Sequence, residues 1–299
     1  MKLYYANQFV LPLPEGHRFP MEKYLRLKST LVDSGFFDNN DFQIPPAATD
    51  LQIIRAHVND YLERVTRGNL SAAEIRQIGF PWSPQMVERS RRSSGATIEA
   101  ARTSLTTGCA VNLAGGTHHA HAAHGSGFCV FNDAAIAARA MQAEEGVGQI
   151  LVIDCDVHQG DGTATILDGD DSVFTFSIHG AKNFPFRKAR SDLDIELPDG
   201  TGDEDYLAAL ESGLDEVFAR CRPELAIYLA GADPYAGDRL GRLALSKAGL
   251  LRRDEMVLGI CHSRRVPVAI AMAGGYANDI GETVAIHAAT VILARQIYG

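Results

Sequence analysis

The sequence predicts an α/β fold: a single domain over residues 1–299, built as three layers with a central, mostly parallel sheet between helices. Three observations predict it. Apolar runs of strand length recur at 150–154, 173–177, 225–230 and 266–272. Helical patterns separate them at 132–145, 204–220, 246–262 and 280–297. Glycines cluster where the runs end, at Gly115-Gly116, Gly125 and Gly127, Gly160 and Gly162, Gly231 and Gly274-Gly275. A run that is apolar throughout, rather than at alternate positions, is buried on both faces, as in a parallel sheet. Strand, loop, helix, strand is the cadence of an α/β domain.

Each element has a local reason. Ile150-Leu-Val-Ile153 is β-branched and apolar, so it favours a strand core. Asp203-Glu204-Asp205 places acid at a helix start, where the backbone dipole favours it. The first ~90 residues carry Pro12, Pro14, Pro45, Pro46, Pro81 and Pro84 and read as helices and loops around the sheet. No repeat, linker or low-complexity tract divides the chain.

Composition narrows the function. A hydrophobic fraction of 46% and a charged fraction of 22% over 299 residues describe an ordinary globular chain. No apolar run approaches the roughly 18 residues of a membrane span, and the start lacks the pattern of a secretory signal. The five cysteines form no C-x-x-C pair, which points to reduced thiols and a cytoplasmic setting. With 28 basic against 37 acidic residues the formal charge is -9, which disfavours nucleic acid and anionic membrane as partners and suits a neutral or cationic one.

Chemistry concentrates at the ends of the runs. In extended chain, alternate side chains share a face, so Asp154, Asp156 and His158 project together beyond Ile153. Buried carboxylates there need compensation by a metal or by hydrogen bonds. Asp233, after Gly231 at the end of a second run, completes a set of Asp156, His158 and Asp233 with room for water. That open position marks a catalytic zinc site, and iron(II) or cobalt(II) suits the same donors. His118 and His119 follow a glycine turn, and Asp154 and Asp161 are available to hold an imidazole N–H each. His121 and His124 read as surface residues. Tyr276, after Gly274-Gly275, is placed to aim a phenol at a developing oxyanion.

Together these segments resemble the histone deacetylase family, the arginase-like metal-dependent deacylases of acyl-lysine and related amides. The likeness rests on Gly116-Thr-His118-His119, Gly125-Ser-Gly127-Phe128-Cys129, Asp154-x-Asp156-x-His158-Gln-Gly-Asp161-Gly162, Gly231-Ala-Asp233, Gly237-Asp-Arg-Leu240-Gly241 and Gly274-Gly275-Tyr276. It runs from about Arg18 to Ala294 and is closest to the class IV enzymes and their bacterial relatives. The resemblance implies that Asp156, His158 and Asp233 hold zinc and that His119, backed by Asp161, is the general base and then acid. It implies an electrostatic role for His118 with Asp154, and a carbonyl-polarising role for Tyr276. Gly127, Phe128, Phe184, Leu240 and Gly275 would bind substrate, and Arg18 would line an inner channel. A structural potassium would sit on Asp154, Ser177 and the backbones of Asp156, His158 and Ile178. The implied substrates are acyl-lysine in a protein or peptide, or a small acylated amine such as an acetylated polyamine; a non-catalytic acyl-lysine binder is the remaining reading. The rim aspartate of the class I enzymes has no counterpart around Phe80-Pro-Trp82-Ser-Pro84, and Leu240 stands where class I has methionine. A two-manganese arginase site would need carboxylates where Gly160 and Tyr235 stand.

Overall fold

The computed structural model describes residues 1–299. Its strands are β1 (Lys2–Tyr4), β2 (Phe42–Gln43), β3 (Cys109–Asn112), β4 (Ile150–Asp154), β5 (Val173–Gly180), β6 (Leu193–Leu197), β7 (Leu225–Leu229) and β8 (Val268–Ala271). All join one parallel sheet in the order β2-β1-β3-β8-β7-β4-β5-β6. The helices are α1 (Lys23–Asp33), α2 (Asp50–Ile53), α3 (Asn59–Arg67), α4 (Ala72–Ile78), α5 (Pro84–Thr107), α6 (Asp133–Glu145), α7 (Asp161–Leu167), α8 (Asp203–Arg220), α9 (Lys247–Ser263) and α10 (Ile280–Tyr298). Helices α1, α10, α9 and α8 pack side by side in that order, while α5 lies against β3, β8 and α6. The predicted three-layer α/β architecture is the one observed.

The middle of the sheet follows from its sequence. Every residue of β4, β7 and β8 is buried, and β4 pairs Ile153 with both Tyr228 and Phe176. Burying one such aliphatic side chain contributes roughly 1.5–3 kcal/mol. Asn132 and Ser246 cap α6 and α9, accepting from the amides of Ala135 (3.0 Å) and Gly249 (2.9 Å). Ser83 does the same for α5 through Met86, with Pro84 in the first turn.

The amino-terminal part departs from expectation. It does supply helices and loops, but β1 and β2 also form one edge of the sheet itself. These strands are three and two residues long, too short to show a period. The opposite edge, β6, alternates as Leu-Asp-Ile-Glu-Leu and is only partly buried, as suits a strand with one free side.

The order of strands sets the place of the site. β3, β8, β7 and β4 are adjacent, and each motif named above leaves the carboxyl end of one of them. A ligand crevice lies at those ends in an open α/β sheet.

Candidate active site and metal centre

Three ligand atoms converge at the tips of β4 and β7. One each from Asp156, His158 and Asp233 lie within 4.8 Å of one another, and all three residues are buried. His158 Nδ1 is 3.0 Å from Asp156 Oδ1 and 3.3 Å from Asp233 Oδ2. Asp233 Oδ2 has no hydrogen-bond donor although it is buried. Burial, with Asp156 beside it, pushes the Asp233 carboxyl up to about 7 against the pull of His158. Asp156 stays well below the usual carboxylate range: burial opposes this, but His118 and His158 prevail. Two dry carboxylates this close call for a cation. The donors fit a divalent ion: two oxygens and an imidazole nitrogen, with a cavity on the open side.

Gly274 shows how tightly the cradle is cut. A Cβ there would stand 1.9 Å from Asp233 Oδ2 and 2.5 Å from Asp156 Oδ2. Bare backbone closes that side, and the Gly274 N–H donates to Asp156 Oδ2 at 2.8 Å. The second-metal positions do not contribute: Gly160 has no side chain, and the Tyr235 hydroxyl turns to Glu282. Arg253, buried on α9, donates to the carbonyls of Cys155 and Gly231 and to Asp254, so one guanidinium ties the two ligand-bearing strand ends together.

Two imidazoles face this cluster. Gly115 and Gly116 take positive φ, and a Cβ on Gly116 would meet Ala273 at 2.3 Å, so only glycine lets the chain turn here. Asp133, fully buried, accepts from the amides of Gly116 (3.0 Å) and Thr117 (2.7 Å). Asn132 donates to the carbonyls of His118 and Ala120, and His57 Nε2 accepts from the Asn132 amide. The turn thereby delivers His118 and His119 with ring centroids 4.2 Å apart. His118 Nδ1 bonds Asp154 Oδ2 and His119 Nδ1 bonds Asp161 Oδ1, each at 2.7 Å. Asp161 thus fixes the tautomer of a neutral His119 with Nε2 free, while Asp154 holds the Nδ1–H of His118.

Their charges differ. Burial works against a charged His118, but the carboxylates of Asp154 and Asp156 outweigh it and hold it up at about 9. Burial and the neighbouring His118 push His119 down to about 4, with Asp161 opposing. His121, expected at the surface, is half-buried and puts Nε2 3.1 Å from Asp161 Oδ2, so it shares the carboxylate that holds His119. His124 stacks on it at 4.5 Å.

A cavity of about 630 Å³ opens onto the cluster. Gly127, Phe128, Phe184, Leu240 and Tyr276 line it with the two imidazoles. Phe184 packs edge-on to His119 at 4.8 Å, and Phe128 lies 6.1 Å from the Tyr276 ring. Phe128 holds a positive φ, pinned by a 2.7 Å bond from its amide to the Ile78 carbonyl. Tyr276 is only 8% exposed, and burial with Asp233 and Asp156 nearby keeps its phenol protonated. Asp238 accepts from the amides of Tyr276, Leu240 and Gly241 and so sets this wall.

Two placements differ from expectation. Gly275 packs against Thr283 and Ala232, and Gly274 is the glycine that lines the cavity. Arg18 is exposed at the mouth, not in an inner channel. Lys23 is the buried cation behind the site, donating to the Ala273 carbonyl at 3.0 Å and sitting 5.5 Å from the rings of Phe19, Tyr24 and Tyr276. On β5, Ser177 stands in register with Asp154 and bonds His179 Nδ1 at 2.9 Å, and Ile178 follows it.

A family model described as "Histone deacetylase domain" matches residues 17–292. The chain belongs to the histone deacetylase family. It is 42% identical to an uncharacterised protein of Picosynechococcus over 98% of both chains. Histone deacetylase 2 of Arabidopsis thaliana is 30% identical over 90% of this chain and 72% of its own. A crystal structure of an HDAC homologue complexed with SAHA superposes with a TM-score of 0.86 at 25% identity, covering 99% of this chain and 84% of that one. As a histone deacetylase-family member, the chain is a hydrolase acting on an amide bond. No helix is long and apolar enough to cross a membrane.

Proposed function

We propose that this histone deacetylase-family chain, acting as one catalytic domain, removes an acyl group from the ε-amine of lysine. The observation that carries the reading is the set of two carboxylate-backed imidazoles facing the Asp156–His158–Asp233 cluster at the base of an apolar-walled cavity. When bound there, a divalent ion, zinc in this proposal, supplies Lewis acidity to water and to the acyl carbonyl.

The chain's own residues do the rest. His119, neutral and with Nδ1 held by Asp161, takes a proton at Nε2 from the water that attacks the carbonyl carbon. As the C–N bond breaks, the same nitrogen returns that proton to the leaving amine, giving a carboxylate and a free lysine. His118, its Nδ1 held by Asp154, would favour the negative charge that builds in between. The Tyr276 hydroxyl donates to the carbonyl oxygen as it becomes an oxyanion. The Gly127 carbonyl accepts the substrate amide N–H, while Phe128, Phe184 and Leu240 flank the lysine stem. Asp154 and Ser177, in register on β4 and β5, would hold a structural potassium ion together with the carbonyls of Asp156, His158 and Ile178.

Asp156→Asn tests the reading. It should leave far-ultraviolet circular dichroism unchanged, bring the content of one divalent ion per chain towards zero, and remove hydrolysis of a fluorogenic acyl-lysine substrate. Undiminished turnover in that variant would overturn it.

A further inference from the structure

The charge at the mouth of the cavity is opposite to the charge of the chain. Arg18, Arg76, Lys182 and Arg242 line it, and all four side chains are exposed. Only Arg242 is paired, 3.1 Å from Asp199; Arg18, Arg76 and Lys182 make no ion pair. The cavity's acidic lining residues are Asp156 and Asp233, both buried at the base. Apart from Asp199 beside Arg242, which does not line the cavity, no carboxylate pairs with these cations.

The cations also come from separate parts of the fold: the segment before α1, helix α4, the loop after β5, and the loop between β7 and α9. Four segments thus bring cations to one opening, and two of them adjoin, the Arg242 amide donating to Asn183 Oδ1 at 3.2 Å beside Lys182. The loop after β5 continues the trend, since Arg187 and Arg190 are exposed and unpaired. Beside Lys182 stands Phe186, 86% exposed and edge-on to Phe184. A cationic rim with an apolar shelf suits an extended chain whose flanking side chains are anionic.

A polyamine or a lysine-rich tail meets repulsion here. With a Debye length of ~8 Å at physiological salt, a group held at the rim still feels these charges, and cleft walls of one sign concentrate a ligand of the other. We propose that the substrate is an acyl-lysine in an acidic protein segment, with Asp or Glu flanking the modified residue. This rests on the deacylase reading and adds to it the class of the leaving amine.

The test uses metal-loaded protein and three dye-labelled acetyl-lysine peptides of equal length, flanked by Glu, Gln or Lys. Binding is read by fluorescence anisotropy and hydrolysis by product release. At low salt the Glu peptide should bind at least about tenfold more tightly than the Lys peptide, ~1.4 kcal/mol, with Gln between. High salt should narrow the gap, and Arg76→Gln combined with Lys182→Gln should close most of it. Acetylspermidine should compete poorly. Equal affinities, or tightest binding by the Lys peptide or acetylspermidine, would overturn the proposal. So would free Nε-acetyl-lysine or a single-stranded oligonucleotide matching the Glu peptide, since the first moves the anion to a small molecule and the second to a nucleic acid. A charge order in binding without hydrolysis of any peptide would support the rim assignment and remove the deacylase reading. Hydrolysis without a charge order would do the reverse.

Discussion

His118 and His119 are neighbours in sequence with the same partner chemistry, yet their surroundings favour a charged ring at the first and a neutral one at the second. Each donates Nδ1–H to a buried carboxylate at 2.7 Å. The difference lies in what stands beyond that bond. His118 also faces Asp156, with Nε2 3.9 Å from its Oδ1, so two negative charges hold its proton. His119 has its own carboxylate partly satisfied by His121, sits beside a charged imidazole, and packs against Phe184. One becomes a fixed cation and the other an available base. A hydrogen-bond partner alone therefore does not assign a catalytic histidine; the second neighbour does.

The largest effect expected from this contrast is in turnover. His119→Ala should lower kcat by about three orders of magnitude, within the range for removing a general acid–base. His118→Ala should cost only about tenfold, because its contribution is a field rather than a proton transfer. Steady-state kinetics on one acyl-lysine peptide decide it, and equal losses would erase the distinction.

The second effect is the separation of the two titrations, read by imidazole NMR on chain stripped of divalent ion. His118 should remain charged until about pH 9 and His119 neutral until about pH 4. The signs follow from the directions. The raised value of His118 adds stability that is complete below the ordinary 6.5 and gone once pH climbs past about 9. The lowered value of His119 keeps its lone pair present above about 4 and loses it as pH falls through that point. Asp154→Asn should draw the two together, lowering His118 and, by removing its charge, raising His119. An unchanged gap would show that Asp154 is not the cause.

The smallest effect concerns the third imidazole. His121→Ala removes one of two holds on Asp161 and should slow kcat by about fivefold, ~1 kcal/mol, with KM unchanged. A loss as large as that of His119→Ala would place His121 in the proton path and break the ranking.

Much of this was legible in the sequence, and the limits have physical reasons. The strands β4, β7 and β8 announce themselves because they are apolar at every position. β3, Cys-Ala-Val-Asn, is equally buried, but its small side chains carry little strand signal. Helix α5 was missed because its buried face includes Ser90, Ser93, Ser94 and Thr97, which look like a solvated surface. Two of them support the site: Ser93 accepts from the Gly115 amide and Thr97 donates to Asp133. The cluster of Asp156, His158 and Asp233 could be read because two of its members share one strand end. Asp133, Lys23 and Arg253 could not, because each is a single residue meeting the site from far along the chain. The cationic mouth was hidden by the net charge, which sums over a surface that the fold divides.

The glycine at 274 has a last consequence. With bare backbone pressed against both carboxylates, an ion held by Asp156 and Asp233 would have no opening on the Gly274 side, and both residues are buried. Ion and ligand would then share the one vestibule that the cavity provides. A chelator would in that case strip the site more slowly when the cavity is filled.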